Sequence, residues 1–283
     1  MSATIQKLTA YPIKSFDGVD LEQVTILPSG GIQHDRLFAF TDTDGNYFNG
    51  KNYTQIHRFE THFINTWHNI VLVDKHANQR EYFDLITDQQ PMLKWIQQIE
   101  PAIDDIEEST NCGITDDRDA PGPTIISTAT LKTIASWFDD ITVDSVRRRL
   151  RCNIEVDGVP AFWEDRFLNG KQVLHIGELQ FLGTTSSQRC VVPTRDPDSG
   201  EPTTDFAKTV RTRREQTLPA WSVRSFFSAR NQYYNRHRLP RRNDQCRRPG
   251  YLEGFLNQKP PSTYHGSSIC ETICEASLRM TSC

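Results

Sequence analysis

Short apolar runs closed by turn-forming residues fill roughly the first 90 positions, and they constrain the fold more than any other feature. Runs of this length suit strands better than helices. Leu37-Phe38-Ala39-Phe40 leads into Asp42-Thr43-Asp44-Gly45 and returns through Tyr47-Phe48, which predicts a hairpin by its turn chemistry. The Asp42, Asp44, Asn46 spacing matches the start of a calcium loop, but position twelve is Tyr53 rather than glutamate, so the segment reads as a turn. Ile70-Val71-Leu72-Val73 and Tyr82-Phe83-Asp84-Leu85 predict a second strand pair. After Pro91, the spacing of Met92, Trp95, Ile96 and Ile99 predicts a short amphipathic helix.

Residues 111–123 are polar and rich in Asp, Gly and Pro, and they mark a junction between a first unit, 1–110, and a second, 123–223. Beyond the junction Ile125-Ile126 predict a strand. Ser127 or Thr128 then caps a helix with Leu131, Ile134, Ala135 and Phe138 on one face. Val173-Leu174-His175-Ile176, Gly177-Glu178 and Leu179-Gln180-Phe181 predict a tight hairpin whose outgoing strand delivers Cys190. The chain is therefore expected to be mainly β with a few helices, an α+β fold of two β-barrel-like units.

The last sixty residues break this pattern. From Arg224 the chain is rich in Arg, Asn and Pro, as in Arg236-His237-Arg238-Leu239-Pro240-Arg241-Arg242, and apolar periodicity disappears. Residues 224–283 are read first as an irregular, disordered or aberrant tail without a closing β segment. A basic arm for nucleic acid or an acidic partner is a second reading. A metal knuckle of Cys246, His265, Cys270, Cys274 and Cys283 is a third. On the first reading, truncation at about Arg224 changes activity little.

With 283 residues, both units are large enough for real cores. A net charge of −4 and a pI near 6.1 make the whole chain an unlikely nucleic-acid binder. No apolar run approaches the roughly 20 residues that span a bilayer, and the first residues lack the apolar core of a signal peptide. Seven cysteines, the first three at 112, 152 and 190, do not read as a disulfide framework. Free thiols and a cytoplasmic location are expected, with no membrane partner.

Chemistry concentrates at Ser187-Gln188-Arg189-Cys190-Val191-Val192-Pro193-Thr194-Arg195-Asp196-Pro197-Asp198-Ser199-Gly200. A guanidinium beside a thiol favours the thiolate, the form that attacks electrophiles or holds a soft metal. The Asp-Pro-Asp-Ser-Gly turn then makes the loop rigid. By itself Cys190 is as readily a small buried hydrophobe.

Other motifs stand far away in sequence. These are Tyr11-Pro12-Ile13-Lys14-Ser15, Gly30-Gly31-Ile32-Gln33-His34-Asp35-Arg36, Arg151-Cys152-Asn153-Ile154 and Trp163-Glu164-Asp165-Arg166. Taken in this order with Arg189-Cys190, they resemble the MOSC family, the molybdenum cofactor sulfurase C-terminal domain, preceded by its N-terminal β-barrel domain. The resemblance spans about residues 3 to 223 and implies binding of molybdenum cofactor, a pterin dithiolene carrying molybdenum and a phosphate. It makes Cys190 the metal ligand and catalytic centre. Many relatives have a second cysteine at the place of Ser187, so one thiolate is on offer here. Lys14, Ser15 and Arg36 match residues that reach phosphate or pterin in relatives. Ser127 and Thr128 sit where a helix N-terminus would add amide donors. Arg151 and Asn153 match an Arg-x-Asn element, expected on one face of a strand with Cys152 turned away. Asp165 and Arg189 complete the set.

Each residue also has a plainer role available: a surface charge for Lys14, a pair with Asp35 or Glu22 for Arg36, a basic helix end for Arg151, a turn cap for Asp165. The family divides between proteins that reduce N-hydroxylated compounds, such as the mitochondrial amidoxime reducing component, and proteins tied to sulfur transfer. The full sulfurase also carries a pyridoxal-phosphate domain, for which this chain has no room. No closely spaced cysteines suit an iron–sulfur centre in the main body and no Gly-x-Gly-x-x-Gly suits a flavin, so electrons would come from a separate flavin or iron–sulfur reductase. The expected activity is molybdenum-dependent reduction of a small N-oxygenated substrate, its oxygen leaving as water. The alternative is a cofactor or sulfur carrier holding a persulfide on Cys190.

Overall fold

In a computed structural model, the described residues are 3–116, 121–168, 172–186, 190–220, 231–235 and 276–279. Strands dominate, as the short apolar runs require. The first part contains β1 (Thr4–Ala10), β2 (Val19–Asp20), β3 (Gln23–Ile26), β4 (Phe38–Asp42), β5 (Phe59–Phe63), β6 (Asn69–Asp74), β7 (Gln79–Asp84), α1 (Gln90–Gln97) and β8 (Ile103–Glu108). The second contains β9 (Thr124–Ser127), α2 (Thr128–Ala135), α3 (Val143–Leu150), β10 (Ile154–Asp157), β11 (Val173–Ile176), β12 (Leu179–Ser186) and α4 (Phe206–Glu215). Two short strands follow, β13 (Asn231–Asn235) and β14 (Ala276–Arg279).

The expected elements form where the pattern puts them. β6 and β7 pair antiparallel, with Ile70 opposite Phe83. α1 buries Met92, Leu93 and Ile96. β11 and β12 form the tight hairpin, Ile176 opposite Leu179. The turn at 42–46 closes as expected, Asp42 Oδ1 accepting from the amides of Asp44 (3.0 Å) and Asn46 (2.8 Å). Its returning limb makes only a bridge from Tyr47 to Thr41. The full partner of β4 is β8, which lies about sixty residues away.

The junction at 111–123 divides the sequence but not the sheet. A seven-stranded sheet runs in the order β11-β12-β13-β9-β10-β1-β2, so β1 hydrogen-bonds to β10 of the second part. One apolar core lies under the first part, around Phe38, Phe40, Phe48, Leu72 and Ile96. A second joins Leu8, Ile26, Ile125, Ile154 and Phe181 across both parts. A third packs α2 and α3 against α4 through Leu131, Val146, Cys152 and Phe206.

Two findings revise the sequence reading. First, two pieces of the segment read as having no closing strand do pair. β13 lies between β12 and β9, and β14 pairs with β3. Ladder pairing uses backbone amides and carbonyls, so it does not require apolar periodicity in the side chains. The rest of 224–283 lies outside the described residues, as do Cys246, His265, Cys270, Cys274 and Cys283. Second, Cys152 and Cys190 form no disulfide, but Cys112 is disulfide-bonded. Whether two cysteines meet depends on tertiary proximity, which their spacing does not encode. No helix among the described residues is long and apolar enough to cross a membrane.

Candidate functional site

Three distant segments meet at the end of β1. The amide of Arg36 donates to the carbonyl of Tyr11 (2.7 Å), that of Phe38 to Pro12 (3.0 Å) and that of Lys14 to Phe38 (2.8 Å). The junction segment lies alongside, the amide of Ile114 donating to the carbonyl of Arg36 (2.7 Å). Gly113 makes this approach possible. Its φ is +69°, and a Cβ there would stand 2.1 Å from the Asp35 carbonyl oxygen. Ser15, His34 and Arg36 all adopt left-handed backbone, with φ of 72°, 65° and 52°. Such conformations are costly for side chains with a Cβ and persist where surrounding structure imposes them.

The cationic side chains converge on Tyr11. The Arg36 guanidinium stands 5.5 Å from its ring centroid and that of Arg151 stands 4.1 Å away, both within cation–π range. Arg36 also pairs with Asp35, the plainer role foreseen for it. Burial opposes the Arg36 charge, but Asp35, Asp116 and Tyr11 outweigh it and raise its pKa. Burial raises the Tyr11 phenol well above its usual range despite Arg151, so the ring stays neutral between two cations. Lys14 is not a solvated surface charge. It is buried, and its Nζ donates to the Ile114 carbonyl (3.0 Å) and to Asp116 (2.7 Å). Burial lowers its pKa, against the pull of Asp116.

Arg151 reaches this cluster by a route different from the one expected. It does not lie on a strand face with Asn153. It caps α3 in left-handed conformation, φ 51°, its amide donating to the Arg147 carbonyl, and β10 begins only at Ile154. The helix end turns the guanidinium toward Tyr11. Cys152 packs into the third core but is not remote from the cluster, its carbonyl accepting from the Tyr11 hydroxyl at 3.4 Å.

Asn153 is buried, and each of its hydrogen-bonding positions is used. Its Oδ1 accepts from the Thr124 amide (3.1 Å) and hydroxyl (2.9 Å), and its Nδ2 donates to the Thr9 carbonyl (3.1 Å) and to Asp35 Oδ1 (3.1 Å). It ties β1, β9 and the Asp35 turn together. Ser127 caps α2, accepting from the Thr130 amide at 3.0 Å. Thr128 donates to Glu155 (2.9 Å), which also holds Arg147. Asp165 accepts from buried Arg214 of α4 at 2.7 Å, a helix-anchoring pair rather than a turn cap. These four side chains are engaged by partners within the fold.

Cys190 is half-buried, just after β12. Arg189 and Ser187 lie outside the described residues. The loop that follows is ordered as its sequence suggests. Asp196 Oδ1 accepts from the amides of Asp198 and Ser199, both at 3.0 Å. Arg149 of α3, 5% exposed, donates to the carbonyls of Pro193 (3.1 Å) and Arg195 (2.6 Å) and to Thr203 Oγ1 (2.9 Å). Arg148 pairs with Asp198 (2.6 Å), and Lys75 from the first part donates to the Asp198 carbonyl. The loop is therefore gripped from both parts of the chain.

His57 from the first part faces this loop. A Cβ on Gly50 would stand 3.2 Å from Val192 and 3.5 Å from His57 Nε2, and one on Gly200 would stand 2.7 Å from His57 Cβ. Burial, then the charges of Arg195, Lys75 and Arg151, hold the imidazole at a pKa of about 4, so it is neutral near pH 7. His57 Nε2 and Arg195 Nε are buried without hydrogen-bond partners among the described residues. A polar atom of that kind ordinarily meets a ligand or water. A polar cleft of about 300 Å³ is lined by Tyr11 and Arg151 of the cluster, by Arg147 and Arg148, and by the carboxylates of Asp17, Asp20, Glu60, Asp144 and Asp198.

Sequence reasoning overlooked Tyr11, Asp35, His57, Arg149 and Arg195 as members of the site. Tyr11 and Asp35 stood inside quoted motifs and could have been found there. His57 carries no local signal, and Arg149 sits in a basic run that looks solvated.

The family model described as MOSC N-terminal beta barrel domain matches residues 2–110, and that described as MOSC domain matches residues 124–228. No curated protein matches the chain significantly.

Proposed function

The chain belongs to the MOSC domain family, whose domains are associated with molybdenum-cofactor-binding proteins, and from that premise we propose that it binds molybdenum cofactor and reduces N-hydroxylated substrates with electrons from a separate reductase. The observation that carries the reading is the convergence of Arg36 and Arg151 on Tyr11, with buried Lys14 in the same backbone layer and an ordered loop following the Cys190 thiol. The donor set fits the group. Guanidinium and ammonium suit a phosphate, a thiolate suits a soft metal, and the orphaned Nε atoms of His57 and Arg195 suit polar edges of a ligand.

On this reading Lys14 and Arg36 hold the phosphate, Arg151 the pterin side, and Cys190 the metal. Bound there, the cofactor supplies the two-electron couple that removes oxygen from an N–O bond. The chain's own contribution is positional. Arg148, Arg149 and Lys75 keep the Cys190 loop from shifting, Asn153 and Asp35 orient Arg36, and the cleft admits a small polar substrate.

The test is molybdenum and pterin per chain, in protein from a host that makes the cofactor, beside Cys190→Ser. Near-stoichiometric metal that falls sharply in the variant supports the reading, and turnover of an N-hydroxylated compound with an artificial donor completes it. Stoichiometric persulfide on Cys190 without turnover would support a carrier instead. Metal-free and pterin-free protein from a competent host would sink both the metal site and the reductase.

A further inference from the structure

Lys14 is a buried ammonium whose counter-ion is not buried with it. The Lys14 side chain is 8% exposed, whereas that of Asp116 is 79% exposed on the junction segment. The exposure is what bears on whether an incoming anion can displace the carboxylate. Desolvation opposes the Asp116 charge, but Lys14, then Arg36 and Lys51, outweigh it and bring the carboxyl down to about 2. Lys14 bonds this carboxylate directly, and the charges of Arg36 and Lys51 add to the field in which it sits.

We propose that Asp116 is an internal competitor for the anion subsite of Lys14 and Arg36, and so sets how tightly that subsite holds a phosphate group. The inference rests on the cofactor reading above, because it takes Lys14 and Arg36 to be phosphate-holding residues. Tethered on the same chain, the carboxylate is present at high effective concentration, and an external anion must displace it. Lys14 keeps its bond to the Ile114 carbonyl during the exchange, so the ammonium remains aimed.

Asp116 has a second effect of opposite sense. Burial lowers the Lys14 pKa, Asp116 raises it, and Arg36 and Lys51 lower it further. The Tyr47 ring also faces the ammonium, 5.6 Å away at its centroid. Neutralising Asp116 removes the carboxylate that, among the described residues, bonds Lys14 and raises its pKa. The variant should hold phosphate more tightly at neutral pH and lose it at a lower alkaline pH than the parent protein. A purely structural role for Asp116 would not produce that crossover.

The experiment uses the full chain from a host unable to make the cofactor and measures inorganic phosphate binding by calorimetry from pH 6 to 10. Parent protein, Asp116→Asn and Lys14→Met are compared, with Lys14→Gln as the second cation variant should Lys14→Met not fold. About fivefold tighter binding by Asp116→Asn at pH 7, with its alkaline loss shifted to lower pH and binding weakened in the cation variants, is the expected result. Equal or weaker binding by Asp116→Asn, with the cation variants still defective, overturns the competitor role and leaves the cofactor reading standing. Binding that is undetectable in every protein, or unaffected by the cation variants, overturns both.

Discussion

Asn153 uses all four of its side-chain hydrogen-bonding positions inside the fold, so its replacement by leucine leaves the Thr124 amide and hydroxyl proton without their acceptor and takes a donor from the Thr9 carbonyl and from Asp35. Buried groups left without partners cost about 1–3 kcal/mol each. Asn153→Leu should therefore destabilise the protein by about 3 kcal/mol or more, read as a lower denaturant midpoint. A midpoint shift near zero would mean the network is not formed. The histidines supply a pH prediction. His57 and His34 have folded pKa values of about 4, below the 6.5 of an unperturbed imidazole, because burial disfavours their charged forms. Between those values the unfolded chain binds the protons first, so stability is full above about pH 6.5 and falls as pH drops toward 4. His57→Gln should flatten that decline. An equally steep decline in both His57→Gln and His34→Gln would show that the rings are not held neutral. At this scale a motif such as Asp35-Arg36 could be read from sequence as a pair. That Asp35 also receives Asn153 and the Tyr11 amide required folding, since the partners lie 118 and 24 residues away.

The short elements end where function begins. α3 closes on Arg151 in left-handed conformation, a position at which glycine is ordinarily preferred. Arg151→Gly relieves roughly 1 kcal/mol of backbone cost and loses a cation–π contact of about the same size. Its denaturant midpoint should stay near that of the parent, while retained pterin falls severalfold if Arg151 holds the cofactor. Unchanged pterin would remove Arg151 from the site. Gly113 is the opposite case. With φ +69° and a Cβ that would meet the Asp35 carbonyl oxygen at 2.1 Å, Gly113→Ala must push the junction segment off the Tyr11–Arg36 layer. A cost of at least about 2 kcal/mol follows, together with loss of the Lys14–Asp116 pair. Normal stability with normal phosphate binding would show that the layer has slack. The strand runs, the α1 stripe and the Ser127 cap could be read locally because each depends on neighbours within one element. The Arg151 conformation could not, because it follows from how α3 must turn into β10.

Across the whole molecule, the seven-stranded sheet depends on a strand from the C-terminal segment. β13 stands between β12 and β9, so a chain ending at Arg230 leaves both with unpaired ladders. Open edges promote association between chains. Such a truncation should reduce soluble yield and give aggregates on size exclusion, contrary to the small effect expected if 224–283 contributed nothing. Monomeric protein with full cofactor content would restore that view. What the sequence determined by itself was the β-rich character, most element positions and the family motifs, all carried by residues close together along the chain. The tertiary structure decided the rest. It placed β1 in the sheet of the second part, put β13 inside that sheet, brought Arg36 and Arg151 together on Tyr11, and set His57 against the loop that follows Cys190. The physical reason is that strand pairing and charge convergence are long-range contacts between generic groups. Amides and guanidinium ions do not announce their partners, and only the folded chain selects them.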